Sequence, residues 1–257
     1  MKKTSLLALC LAALFSFVAP AKADPPQFNV LLFTKMDGFH HKSVNEGVRA
    51  MRKMAEKHHF NIDWHEDANH FNDDNLARYD AIVFLMTTGD ILNEEQQAAM
   101  KRFIQAGNGF VGIHSASDTM YGWEWYTKLV GRTFKIHPVI QTAELEVVDH
   151  SFPGTERMPK RFLWTDEFYD FGPELSENLN YILTVDEDTY SPAADWGRVS
   201  SEGMGEFHPL AWYQYYDGGR SFYTALGHVP ATFGDDLFLE HIYGGLYWAA
   251  TGRGIRD

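Results

Sequence analysis

Short apolar runs separated by polar, helically periodic segments mark the first half of the chain. Residues 28–34 (FNVLLFT) are apolar almost throughout and predict a buried strand. After a loop at 35–42, Ser43 and Glu46 stand at capping-box spacing. Val44, Val48, Met51 and Ala55 then recur at helical spacing. Strands are expected at 60–64, 79–86 (YDAIVFLM) and 110–114 (FVGIH). The third is apolar along nearly its whole length, as strands covered on both faces are. Asn93 and Gln96 open a helix that runs to about 106, where Gly107-Asn108-Gly109 ends it. Strands alternating with helices predict an α/β fold with a mainly parallel central sheet and helices on both faces. Further strands are expected at 142–148, 181–185, 210–216 and 221–225, and a closing helix at 237–250.

The first residues change the picture. Lys2 and Lys3 precede an apolar run from Leu6 to Val18, and Ala21-Lys22-Ala23 follows. This pattern predicts a secretory signal peptide over 1–23, cleaved before Asp24, leaving one domain over 24–257 and a periplasmic or secreted protein. The run is too short to span a bilayer, which needs about 20 residues, so no stable membrane insertion is expected. Cys10, the only cysteine, falls in the leader, with bulky Leu9 before it rather than the small residue of a lipoprotein. The mature chain would therefore have no disulfide and no thiol nucleophile. Loss of the three leader lysines leaves 19 Lys and Arg against 35 Asp and Glu, a formal charge of −16. Such a surface repels nucleic acid and anionic lipid. Association between like copies stays open.

Candidate chemistry lies where the strands end, since ligands of open α/β sheets bind beyond the carboxyl edge. His114, in Gly112-Ile113-His114-Ser115-Ala116, occupies an elbow-like strand-to-helix turn. A histidine there argues against an acyl-enzyme and for proton transfer or metal binding. His137 and His208 each precede a proline, and His228 comes two before Pro230. Proline favours extended backbone before it, which projects a side chain from a loop, although such pairs also simply end elements. Asp166 and Glu167 lie among Trp164, Phe168 and Tyr169. Such carboxylates serve as acid or base, or form a solvated loop pair. Asp118 follows His114 by one turn, placed either to orient the imidazole or to cap a helix. His40 and His41 follow the first strand and are placed to line a pocket. Trp164 and Trp212, with Trp123 and Trp125, offer surfaces for a sugar ring.

Seven ordered segments together resemble the ThuA-like family of trehalose utilisation: Gly38-Phe39-His40-His41, Thr87-Thr88-Gly89-Asp90, Gly109 to His114, Lys135-Ile136-His137-Pro138, Thr165-Asp166-Glu167, His208 to Trp212, and Tyr223 to His228. The resemblance covers residues 30–252. It implies a class I glutamine-amidotransferase-like, flavodoxin-like fold with the amidotransferase cysteine replaced at the elbow, here by His114, so that glutamine hydrolysis is absent. It implies a disaccharide or 3-keto-glycoside as substrate. The loop at 202–207 departs from the acidic-pair version usual before His-Pro.

The expectation is thus an enzyme that hydrolyses, eliminates or isomerises such a sugar through His114, His137, Glu167, His208 and His228. His40, His41, Asp118, Trp164, Asp166 and Trp212 would bind the substrate. Imidazoles and carboxylates also suit a divalent metal such as Zn²⁺, although no close-spaced ligand motif is present. A non-catalytic sugar-binding protein is the alternative.

Overall fold

A computed structural model describes residues 24–255; the expected leader, 1–23, lies outside the described residues. In chain order the strands are β1 (Asn29–Phe33), β2 (Asn61–His65), β3 (Ala81–Leu85), β4 (Gly109–Ile113), β5 (Phe134–Ile136), β6 (Gln141–Val147), β7 (Arg161–Asp166), β8 (Asp170–Phe171), β9 (Asn180–Val185), β10 (Ala194–Asp195), β11 (Ser200–Ser201), β12 (His208–Tyr216) and β13 (Gly219–Thr224). The helices are α1 (Val44–His58), α2 (Asp73–Leu76), α3 (Glu94–Gln105), α4 (Glu124–Val130) and α5 (Asp236–Thr251).

Nine strands form one sheet in the order β2-β1-β3-β4-β13-β12-β9-β6-β7. From β2 to β13 neighbours run parallel; from β13 to β7 they run antiparallel. As the alternating pattern predicts, β1, β3 and β4 are adjacent. β3 and β4 are buried at every position. On β13, Ser221 donates to the Leu129 carbonyl of α4, while a Cβ on Gly245 of α5 would strike the ring of Phe222. Neighbouring strand residues face opposite ways, so α4 and α5 cover opposite faces. Gly109 is required for the same close packing, because a Cβ there would lie 2.3 Å from the Ala249 carbonyl oxygen.

The Asn93–Gln96 capping box forms in full. The one expected at Ser43 does not. Ser43 already has helical backbone (φ −76°, ψ −8°), and its hydroxyl turns to the Met86 sulfur at 3.7 Å. Glu46 pairs instead with Arg49 one turn on. Among the described residues no helix is long and apolar enough to cross a membrane.

Candidate functional site

The parallel arrangement brings the carboxyl ends of β4 and β13 side by side, and the site is built there. β4 ends at Ile113, and His114 follows with φ +54°, a left-handed conformation uncommon for a side chain of its size. That kink is the elbow expected from the sequence. Gly112 before it has little room: a Cβ would lie 3.0 Å from the Tyr223 ring and 3.1 Å from Ala116. The His114 ring is fully buried, and its Nδ1 lies 2.7 Å from the Ala225 carbonyl oxygen, just past β13. That carbonyl can only accept, so Nδ1 carries the proton and Nε2 is left with a lone pair. Nε2 lies 2.8 Å from the Tyr169 hydroxyl, 3.2 Å from His228 Nδ1 and 3.5 Å from Glu167 Oε2.

Glu167 sits in the turn between β7 and β8. Its Oε2 is 3.0 Å from His228 Nδ1, and its Oε1 is 3.2 Å from His137 Nε2. Burial pushes its carboxyl pKa up, but the neighbouring His114 and His228 outweigh that and hold it well below the usual range. His228 is drawn down by burial and pushed further up by Glu167, for a net rise. His137 is lowered, chiefly by burial, against the pull of Glu167. Its Nδ1 is committed to the Pro138 carbonyl at 2.8 Å. His41 closes the group, with its ring centre 4.9 Å from that of His114 and 5.4 Å from that of His228. Burial, then the neighbouring His114 and His228, lower its pKa to about 2.

Asp166 is buried beneath these groups. It accepts the backbone N–H groups of Glu167, Gly227 and Val229 at 3.0, 2.8 and 3.2 Å, and Trp164 Nε1 at 3.3 Å. Its role is to position the loops rather than to meet a ligand, and Trp164 serves it from below. Four other expected site residues lie elsewhere. Trp212 is 1% exposed and donates to the Val130 carbonyl, so it is core and cannot stack on a sugar. Asp118 accepts from Tyr121 at 2.8 Å, and the Ala225 carbonyl holds His114 in its place. His208 lies behind the site, bonded to Glu187 and to the Tyr169 carbonyl. His40 is exposed, while His41 beside it turns inward.

Tyr169 and Trp196 were not among the candidates read from the sequence. Tyr169 is two residues after Glu167, and alternate residues of an extended segment share a face; that spacing was the available signal. Trp196 is half exposed and meets the His137 ring edge-on at 4.8 Å. Only its position among turn residues, Asp195 and Gly197, hinted at it. Across the cluster Phe39, 64% exposed, lies 4.8 Å from the His41 ring.

His41, His114, Glu167 and His228 present ligand atoms that all lie within 4.8 Å of one another. His114 Nε2, His228 Nδ1 and Glu167 Oε2 make a triangle with edges of 3.2, 3.0 and 3.5 Å. A tetrahedral Zn²⁺ with N and O ligands near 2.05 Å sets them about 3.3 Å apart. The residues therefore fit such an ion. The backbone carbonyl on His114 Nδ1 is the outer support that metal-bound imidazoles use.

The site thus joins a histidine at the elbow of a mixed, mostly parallel sheet to a carboxylate shared among imidazoles, in an α/β protein. The trehalose utilisation model, ThuA, matches residues 29–249, and the chain belongs to that family. A putative ThuA-like protein from Bacteroides uniformis is 20% identical, with a TM-score of 0.74 over 90% of this chain and 95% of that one. One from Parabacteroides merdae is 21% identical, with a TM-score of 0.71 over 91% and 93%. These two likenesses concern the fold. No functionally curated protein matches the chain.

Proposed function

We propose that this chain is an exported, periplasmic enzyme of sugar metabolism, one domain over 24–257, acting on a disaccharide or 3-keto-glycoside. The observation that carries this reading is the convergence on Glu167. His114 and His137 have both committed their Nδ1 protons to backbone carbonyls. Their Nε2 lone pairs therefore face a carboxylate, at 3.5 and 3.2 Å; that of His114 also accepts from the Tyr169 hydroxyl at 2.8 Å, whereas that of His137 meets Glu167 Oε1 directly. A merely structural cluster would pair donors with acceptors. Here the His137 lone pair and Glu167 Oε1 meet with no proton between them, ready for a proton or a cation.

His114, His228 and Glu167 would hold a divalent ion. When bound, such an ion polarises a carbonyl and offsets developing negative charge. The rest of the chemistry falls to the chain. A 3-keto group acidifies the C2–H bond beside it. His137 is half-buried and unprotonated at neutral pH, with Nε2 aimed at the cluster, and it takes that proton. Glu167 Oε1 steadies the imidazolium that results. The same ring returns the proton to the glycosidic oxygen as the C1–O bond breaks. Phe39 and Trp196 flank the group and supply apolar faces for a sugar ring.

The test is to purify the mature protein, measure its metal content, and follow trehalose and 3-keto-trehalose by mass spectrometry. Conversion of either, lost in Glu167→Gln, is expected. Binding without conversion would make it a sugar-binding protein and overturn the enzyme reading.

A further inference from the structure

Behind the site, on the far side of Tyr169, lies a second buried ionisable group that the chemistry above does not use. Asp170 on β8, Glu187 in the turn after β9 and His208 at the start of β12 offer ligand atoms that all lie within 4.8 Å of one another. Asp170 is 1% exposed, and neither of its carboxylate oxygens accepts a hydrogen bond. Its Oδ1 is directed at His208 Nε2, 4.0 Å away. Buried carboxylates are ordinarily hydrogen-bonded, paired or coordinated to a metal.

His208 does not meet this need. Its Nδ1 is 2.7 Å from Glu187 Oε1, and its Nε2 is 2.9 Å from the Tyr169 carbonyl oxygen. A neutral imidazole has one N–H. It can satisfy one of those acceptors, and whichever it takes, Asp170 is left without a donor. Lys135 turns its ammonium to the Ser201 hydroxyl at 3.5 Å. The cluster is short of positive charge.

We propose that Asp170, Glu187 and His208 form a second divalent-cation site, separate from the one that His114, His228 and Glu167 can make, and that its ion is structural. Two carboxylates and an imidazole suit Zn²⁺ or Mn²⁺. Glu187 also accepts the N–H groups of Met204 and Gly205. The ion would thus tie the 200–207 loop to β8 and fix the backbone that carries Tyr169 toward His114. This inference stands independently of the proposed catalysis.

The experiment uses the full mature chain with His228→Ala and Glu167→Gln, so that the first site cannot hold its ion. The protein is stripped with EDTA, exposed to Zn²⁺ and desalted; retained zinc and melting temperature are then measured. One retained equivalent per chain is expected, with a rise in melting temperature of about 5 °C or more. Adding Asp170→Asn should remove both. Glu187→Gln is the second variant should Asp170→Asn fail to fold. No retained zinc in the double variant would overturn the proposal, as would zinc retained unchanged after both substitutions. A failure of the catalytic reading would leave these outcomes untouched.

Discussion

Asp166 binds the Gly227 N–H at 2.8 Å, and that contact joins the loop carrying Glu167 to the loop carrying His228. Gly227 has φ +121°, a conformation open to glycine and strained for other residues, so the chain can turn just where the carboxylate waits. The 3.0 Å approach of His228 to Glu167 therefore depends on a residue that bonds to neither side chain. Replacing Asp166 with alanine strands three backbone donors in the interior. Each costs about 1–3 kcal/mol when left unsatisfied, so unfolding stability should fall by several kcal/mol. Asp166→Asn, which keeps an acceptor, should lose less. Equal stability of Asp166→Ala and wild type in a urea titration would refute this role.

His114→Ala tests the site directly. The ring's one backbone bond, to Ala225, contributes about 1 kcal/mol, so the variant should stay folded while turnover falls at least about 10³-fold. Tyr169→Phe removes only the hydroxyl 2.8 Å from Nε2 and should cost less. His150→Ala, at an exposed position remote from the cluster, should change neither activity nor melting temperature. An active, folded His114→Ala protein would show that the elbow histidine is not the centre.

The parallel half was legible because strands buried on both faces read as unbroken apolar runs; β3 and β4 are such strands. β7 was not. Its exposed, alternating edge-strand pattern ends in Asp166, and a carboxylate pair beside aromatics reads equally well as a loop. The candidate cluster was legible where a residue follows a strand, as His114 does directly after β4 and His228 four residues after β13. It was not legible where the same local pattern also serves packing. Trp212 and His208 lie in a segment matching the family motif as well as any, yet β12 runs through the interior and buries both. Only the tertiary neighbours Val130, Glu187 and Tyr169 separate them from the His114 cluster.

Acid stability should reflect His241. This ring is fully buried on α5, with Nδ1 on the Gly154 carbonyl and Nε2 without a partner. Burial lowers its pKa to about 4. Its folded-state pKa is below the unfolded value, so the unfolded chain binds the extra proton first. The stability is complete above about pH 6.5 and is lost as pH falls toward 4. At about 1.4 kcal/mol per pH unit, the loss approaches about 3 kcal/mol. His241→Asn keeps a donor for Gly154 and cannot titrate, so its stability should decline less between pH 7 and 4.5. Parallel urea titrations at both pH values decide the matter; the same decline in both proteins would place the acid-sensitive group elsewhere.

Trp196 and Trp212 should respond in opposite ways to the same substitution. Trp196 is 52% exposed, and its ring stands edge-on to His137, where a bound sugar would pass. Little packing is lost on truncation, so Trp196→Ala should melt within a few degrees of wild type. If the ring stacks on substrate, its removal costs about 1–2 kcal/mol of binding, a rise in KM of roughly tenfold with kcat little changed. Trp212 is enclosed by Tyr223, Phe171 and Tyr181, with its N–H on the Val130 carbonyl. Trp212→Ala opens a cavity and strands that acceptor, at a cost of about 3–5 kcal/mol. It should therefore lose folded protein before any effect on KM can be read. Melting temperature and KM measured side by side for the two variants separate the roles. A Trp196→Ala enzyme with wild-type KM would remove the aromatic wall from the substrate site.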